Sequence, residues 1–428
     1  MRGIVRMTLI VLAVSSGLAG CSIGEGKTDA GMGNESGAGT AKSITLNVLT
    51  NRVDLIENGT MNRYAALFER EHPGTSVEFQ GFSNYTADIM TRLSTLNMGD
   101  VLLLPANMLA EDLPQYFEPL SDDDLFASVR FADYKSVNGA RYGIASGTST
   151  IGIVYNKKAM EKAGVTELPT TLTSFYEACK KLKAAGITPV FLNYGAQWPM
   201  KTWGEELVSF MSGDPDYLSE MADTDKPWDI GNEWGQSMKI VQTLIHDGYT
   251  EQGLMNNQWE LSKKKIADGE AAMLLNGNWV INQIIEAGAK PEDIGFFPFP
   301  YDDEDKRYAP LLPDWFIGVS KFSGNKELAK AWVKFFVEQS GYVEEQGYLP
   351  VKLASDTDIS PQLKQFLSFK PSFVENVPPS DKFLRIAEKA NLSLWSGEYI
   401  QDWIASPDLQ KTFEQYNAMW QEARHLEQ

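Results

Sequence analysis

Apolar and polar residues alternate from Ile44 to Thr50, the pattern of a strand with one face buried. Asn58 to Glu71 follows with helical spacing, placing Tyr64, Leu67 and Phe68 on one face, and His72-Pro73-Gly74 stops it. Val77 to Gln80 reads as a second strand and Tyr85 to Asn97 as a second helix. Asp100 to Leu104 is a short unbroken apolar run, as in a strand covered on both faces. Strand, helix, strand, helix, strand at this spacing predicts a βαβαβ unit and an α/β lobe. Ligands in such sheets sit at the carboxyl ends of the strands. That places Asn51, Arg52 and Asp54, then Asn84 and Tyr85, then Asn107 along one edge.

A second pattern of this kind begins near Tyr142. Tyr142–Ser146 and Ile151–Tyr155 read as strands on either side of the polar link Gly147-Thr148-Ser149-Thr150. A helix is expected over Thr173–Ala185, capped by Thr173 or Thr171, with Phe175, Cys179 and Leu182 inward and Gly186 as its stop. Pro189–Leu192 is a buried strand with Asn193 and Tyr194 just past its end. Trp234–Gly248 is an amphipathic helix, Ile266–Leu275 a helix end and a strand, and Asp293–Pro298 a further strand.

The start of the chain differs in kind. Arg2 and Arg6 precede an apolar run from Met7 to Val14, and small residues lead to Leu18-Ala19-Gly20-Cys21. Basic start, apolar middle and small-residue exit are the parts of a secretory signal peptide, expected over residues 1–20. The run is too short to span ~30 Å of hydrocarbon comfortably. Leu-Ala-Gly-Cys resembles the lipobox of bacterial lipoproteins, which implies a lipidated (palmitate-bearing) Cys21. Residues 21–42, rich in Gly, Ser, Ala and Asn and without an aromatic residue, are expected to form a flexible leash.

Composition narrows the partners. The net charge of −19 would become −21 once Arg2 and Arg6 leave, which disfavours nucleic acid and anionic lipid surfaces. With Cys21 assigned to lipid, Cys179 has no partner for a disulfide and is expected to be a small buried hydrophobe. Catalytic signatures are absent. Three histidines (His72, His246 and His425) form no metal-ligand spacing, and neither a nucleophile elbow nor a Walker loop occurs. The runs Asp122–Asp124 and Asp302–Asp305 read as solvated loops, the second without the glycine-punctuated spacing of a calcium loop. No metal and no cofactor is expected.

Several segments, in order, resemble one family. Thr50-Asn51-Arg52 with Asp54 follows the first strand, and Val154-Tyr155-Asn156-Lys157-Lys158 follows the polar link. Lys183-Ala184-Ala185-Gly186-Ile187-Thr188-Pro189 leads into a strand. Gly269-Glu270-Ala271-Ala272-Met273 precedes Asn276-Gly277-Asn278-Trp279, and Asn325 to Trp332 opens a late helix. Together with the lipobox they resemble the extracellular solute-binding proteins of the sugar type that feed ATP-driven (ABC) importers. The resemblance implies an α/β fold built as a two-lobe clamp, each lobe a mostly parallel sheet flanked by helices, with the ligand in the cleft between lobes. It implies lobe 1 over 43–147 plus 305–350 and lobe 2 over 152–300 plus 355–428, with crossings near 147–151 and 300–312. The implied protein is a monomeric, non-enzymatic oligosaccharide receptor that is lipid-anchored outside the cell membrane and delivers to importer subunits. The competing reading is a secreted glycosidase or polysaccharide-binding scaffold.

A sugar offers apolar C–H faces and a rim of hydroxyls, so its pocket needs flat aromatic rings and dense donors and acceptors. Of the 11 tryptophans, Trp198, Trp259, Trp279 and Trp315 fall in polar loops. Asn51, Arg52, Asp54, Asn84, Tyr85, Asn107, Tyr194, Asn278 and Asp314 are the accompanying polar and aromatic candidates. Arg52 either holds Asp54 or contacts sugar. Trp234, Trp332 and Trp420 lie on helical patterns and are expected to be packing.

Overall fold

The computed structural model describes residues 44–427 apart from 84, 107, 121–122 and 354–358. The leader and leash with Cys21, and the candidates Asn84 and Asn107, lie outside the described residues.

Ile44–Thr50 pairs in parallel with Thr75–Gly81 on one side and Val101–Leu103 on the other. Phe316–Ser320 continues the sheet antiparallel to Val101–Leu103, and the short strands Phe117–Glu118 and Ile144–Ala145 pair with it. The helix expected over Asn58–Glu71 is present as Thr60–Glu71, and a short helix that was not expected, Val53–Glu57, precedes it. Gly59 at φ +82° breaks them, and Asn58 Oδ1 accepts the Thr60 N–H at 3.0 Å to start the second. Tyr64 and Phe68 bury their rings against Lys326–Glu338, where Phe68 meets Trp332 edge to face at 5.2 Å.

The second sheet runs Thr188–Val190, Ala271–Gly277, Ile151–Asn156, Ile294–Phe297. Every residue of its last three strands is buried, which is why these segments read as apolar runs rather than alternating ones. Leu172–Ala184 covers it. Of the two proposed caps the structure uses Thr171, in a reciprocal box with Ser174, and Phe175, Cys179 and Leu182 are fully buried. The C-terminal helices Asp381–Lys389, Glu398–Ala405 and Leu409–Glu427 join the same core through Ile386, Trp403 and Trp420.

One strand in each sheet opposes the rest: Phe316–Ser320 in the first and Ile151–Asn156 in the second. Their N-terminal ends therefore lie at the edge where the parallel strands finish, Ile151 opposite Gly277 and Ile317 opposite Leu103. Between the sheets, Thr148–Ser149 pairs antiparallel with Leu312 and Pro313, and Thr148 exchanges backbone hydrogen bonds with Leu349 at 2.9 and 2.7 Å. The strand meeting the link is Tyr308–Pro313, and the segment around Leu349 runs beside it as a further connection.

Candidate functional site

The edge of the first sheet carries a polar wall. The chain turns after Thr50, whose Oγ1 accepts the Arg52 N–H at 3.1 Å, and this points the guanidinium back across the edge. Arg52 donates from Nε and Nη2 to the two Asp54 carboxylate oxygens at 2.9 and 2.6 Å, from Nη1 to Tyr342 Oη at 3.2 Å, and from Nη2 to Gln346 Oε1 at 2.7 Å. Burial alone would raise the Asp54 carboxyl; the hydrogen bonds and charge of Arg52 outweigh it and hold Asp54 below the usual range. Asp314 accepts from Ser146 Oγ at 2.5 Å and Tyr342 Oη at 3.4 Å. Burial pushes the Asp314 carboxyl up, against the pull of Ser146 and Arg52. Asn51, Arg52, Ser146, Asp314 and Trp315 line one cavity here.

The second lobe carries an aromatic wall. Trp279 follows Ala271–Gly277 after one intervening residue and its ring folds back over the strand end. A methyl at Gly277 would lie 2.3 Å from Trp279 Nε1, so only glycine allows that approach. Trp259 opens the helix Trp259–Ala267, its N–H held by Asn257 Oδ1 at 3.2 Å, and Lys263 Nζ lies 5.4 Å from the ring centroid. Trp198 completes the group: its ring centroid is 4.8 Å from that of Trp259 and 6.0 Å from that of Trp279, and Trp259 and Trp279 are 5.9 Å apart. Three tryptophans from separate segments thus meet as one half-buried cluster.

Other candidates have different tasks. Tyr85 is buried; its hydroxyl accepts the Leu103 N–H at 2.7 Å and reaches the carbonyls of Leu49 and Leu103, stitching two strand ends. Its ring supports Trp315 edge to face at 5.2 Å, and Trp315 packs on the first-lobe core, which Trp279 also touches. Tyr194 is buried, with its hydroxyl donating to the Gln401 carbonyl at 2.9 Å. Asn278, 1% exposed, accepts the Thr150 N–H at 2.7 Å and donates to the Gly347 carbonyl, tying the second lobe to the connecting segments. These three side chains spend their polar groups on the fold. The aspartates of 302–305 are likewise engaged: Asp302 pairs with Arg307 at 2.7 Å, and Asp303 accepts from Thr173 N–H and Oγ1 at a helix start.

Sequence reasoning missed Ser146, Tyr342 and Gln346 in the polar wall and Lys201 with Glu206 in the second lobe. Ser146 ends a strand that was legible. Tyr342 and Gln346 come almost 300 residues after their partner Arg52, with no local pattern to connect them. Lys201, paired with Glu206 at 3.0 Å, also feels the charge of Asp314 across the cleft: burial pulls the ammonium down, and these carboxylates more than offset it. Among the described residues no cluster of three His, Cys, Asp or Glu side chains could hold a metal, and no helix is long and apolar enough to cross a membrane.

Known proteins share this plan. BlMnBP1, a binding protein of an ABC transporter from Bifidobacterium animalis subsp. lactis solved with mannobiose, superposes with a TM-score of 0.81 at 26% identity, over 90% of this chain and 95% of that one. BlMnBP2 of the same organism, a manno-oligosaccharide-specific solute-binding protein solved with mannotriose, gives 0.81 at 25% over the same shares. In sequence, the sn-glycerol-3-phosphate-binding periplasmic protein UgpB of Brucella melitensis is 26% identical over 241 residues, 52% of each chain. This chain thus spans about half the length of those relatives. Residues 54–342 match the model of the bacterial extracellular solute-binding proteins. That match covers more than half of the chain, and the chain belongs to the bacterial extracellular solute-binding protein family.

Proposed function

We propose that this chain binds a short, uncharged oligosaccharide between its lobes and presents it to an ABC importer from the outer face of the cell membrane. The observation that carries the reading is the meeting of Trp198, Trp259 and Trp279 as a half-buried cluster at a sheet edge. Rings held this way offer stacking area to sugar C–H faces at little further cost in side-chain entropy. The manno-oligosaccharide complexes of the BlMnBP proteins support this ligand class.

The charges of the site favour a neutral sugar over a phosphate ester such as the sn-glycerol 3-phosphate for which the UgpB relatives are named. Arg52 has four of its five N–H donors committed to Asp54, Tyr342 and Gln346. Lys201 is paired with Glu206 and Lys263 with Glu260. A phosphate entering beside Asp314 would have to break one of these pairs, at the cost of a stranded carboxylate.

The reading includes export, a lipid on Cys21, a monomeric receptor without catalytic activity, and lobes divided at 147–151 and again near 305 and 350. The pairing of Thr148 with Pro313 and Leu349 supports a hinge at those points. The glycosidase or scaffold reading gains no support from the family, whose matched members are binding proteins. Isothermal titration with mannobiose, mannotriose, chitobiose and glycerol 3-phosphate tests the proposal. At least one neutral sugar should bind with micromolar affinity or better and be recovered uncleaved. Binding of glycerol 3-phosphate alone would overturn it. With ligand bound, small-angle scattering should give a smaller radius of gyration, because only a closed form lets both walls touch one sugar.

A further inference from the structure

The backbone that delivers Trp198 is strained. After Thr188–Val190 the chain passes Asn193 at φ +57° and reaches Gln197 at φ +67°, ψ −64°. There the Trp198 N–H donates to the Ala196 carbonyl at 2.9 Å, closing a γ-turn of the hand that L residues avoid. Such a conformation persists only where its surroundings over-determine it. Two sets of contacts do so. The buried Glu251 carboxylate accepts the N–H groups of Leu192 at 2.8 Å and Tyr194 at 3.3 Å. From the far end of the chain, the helix Glu398–Ala405 and the turn before it close on the same loop. Tyr194 and Gln401 exchange two hydrogen bonds, and the Trp395 N–H donates to Glu205 at 2.9 Å. Gly397, at φ +79°, passes so close that a methyl there would lie 2.2 Å from the Gln197 carbonyl oxygen.

We infer that Gln197 is a positioning residue and the Gly397 turn its clamp: together they aim the Trp198 ring at Trp259 and Trp279, so the C-terminal segment sets ligand affinity without touching the ligand. The inference rests on the sugar-platform reading for its effect on affinity, but not for its effect on the loop.

Two variants test it. Gln197→Gly accepts the positive φ freely and should fold as well as the parent, yet it lets the turn relax. Gly397→Ala pushes on the Gln197 carbonyl. Its control is Gly139→Ala, which suffers the same backbone penalty (φ +81°) in a hairpin with open space around it. Hydrogen exchange of the amides of 194–202 should rise about tenfold in Gln197→Gly and Gly397→Ala and stay at the parent rate in Gly139→Ala. Affinity for the best-bound manno-oligosaccharide should fall about three- to tenfold in the first two, with an unchanged melting temperature in Gln197→Gly. A purely structural strain predicts tighter or equal binding for Gln197→Gly. Parent-like exchange in 194–202 for both variants, or parent-like affinity with raised exchange, overturns the inference. If the parent binds no sugar at all, the exchange measurement still decides whether the clamp exists, and the failure then belongs to the ligand reading.

Discussion

The second lobe holds two tryptophan clusters that look alike as ring geometry and differ in everything else. Trp228, Trp234, Trp403 and Trp420 contact one another at centroid distances of 5.4–6.4 Å, all edge to face. Trp198, Trp259 and Trp279 lie at 4.8–6.0 Å. The first four are at most 3% exposed, whereas the other three are half-buried. In the interior cluster the indole nitrogens of Trp228, Trp234 and Trp403 are buried without a hydrogen-bond partner, so apolar packing there outweighs an unmade bond. In the half-buried cluster the chain arranges polar neighbours instead: Asn257 fixes the Trp259 backbone and Lys263 sits over its ring. Ring geometry alone does not separate the two clusters; exposure and the neighbouring charges do.

The largest effect that would break this comparison is in the interior. Trp420→Ala, in the helix Leu409–Glu427, should cost about 3–5 kcal/mol of stability, the loss from emptying a large buried site, while the folded fraction keeps its ligand affinity. Thermal melts paired with titrations read both. Next comes Trp279→Ala, expected to lose ~2 kcal/mol or more of binding, since it removes an aromatic anchor from the cleft, with a much smaller shift in melting. If affinity and stability fall together, the two clusters are of one kind. A smaller effect is expected for Lys263→Met, which keeps the stem but removes a cation worth about 0.5–1 kcal/mol over Trp259; titration should show a few-fold loss at most. The smallest belongs to Trp234→Phe. It deletes an unpartnered N–H along with some ring area, two changes that oppose each other, so stability should stay within ~1.5 kcal/mol of the parent in denaturant melts.

Much of this contrast was legible beforehand. Trp234, Trp332 and Trp420 repeat at helical spacing with other apolar residues, and all three are buried. Trp198, Trp259, Trp279 and Trp315 fall among Asn, Gly, Pro and Asp, and all four are half-buried. The strand edges were also readable; Arg52 pairs with Asp54 at the end of the first sheet and shares a cavity lining with Asp314. For Asn278, Tyr85 and Tyr194 the local sequence left two roles open. A polar side chain just past a strand end can face a ligand or satisfy backbone groups of a neighbouring segment, and local sequence is the same in both cases. Here Thr150, Gly347, Leu103 and Gln401 take those side chains.

What the sequence determined by itself is whatever depends on neighbours a few residues away: the alternation of Ile44–Thr50, the helical face of Phe175, Cys179 and Leu182, the apolar runs of the buried strands, and the sorting of tryptophans by local polarity. Tertiary structure alone decided which distant residues meet. Tyr342 and Gln346 reach Arg52, Gly397 closes on Gln197, and three tryptophans spread over some 80 residues become one cluster. Those encounters depend on how two sheets, each with one reversed strand, bring their edges together. Hydrophobic periodicity specifies which face of an element is buried, but not which other element it is buried against.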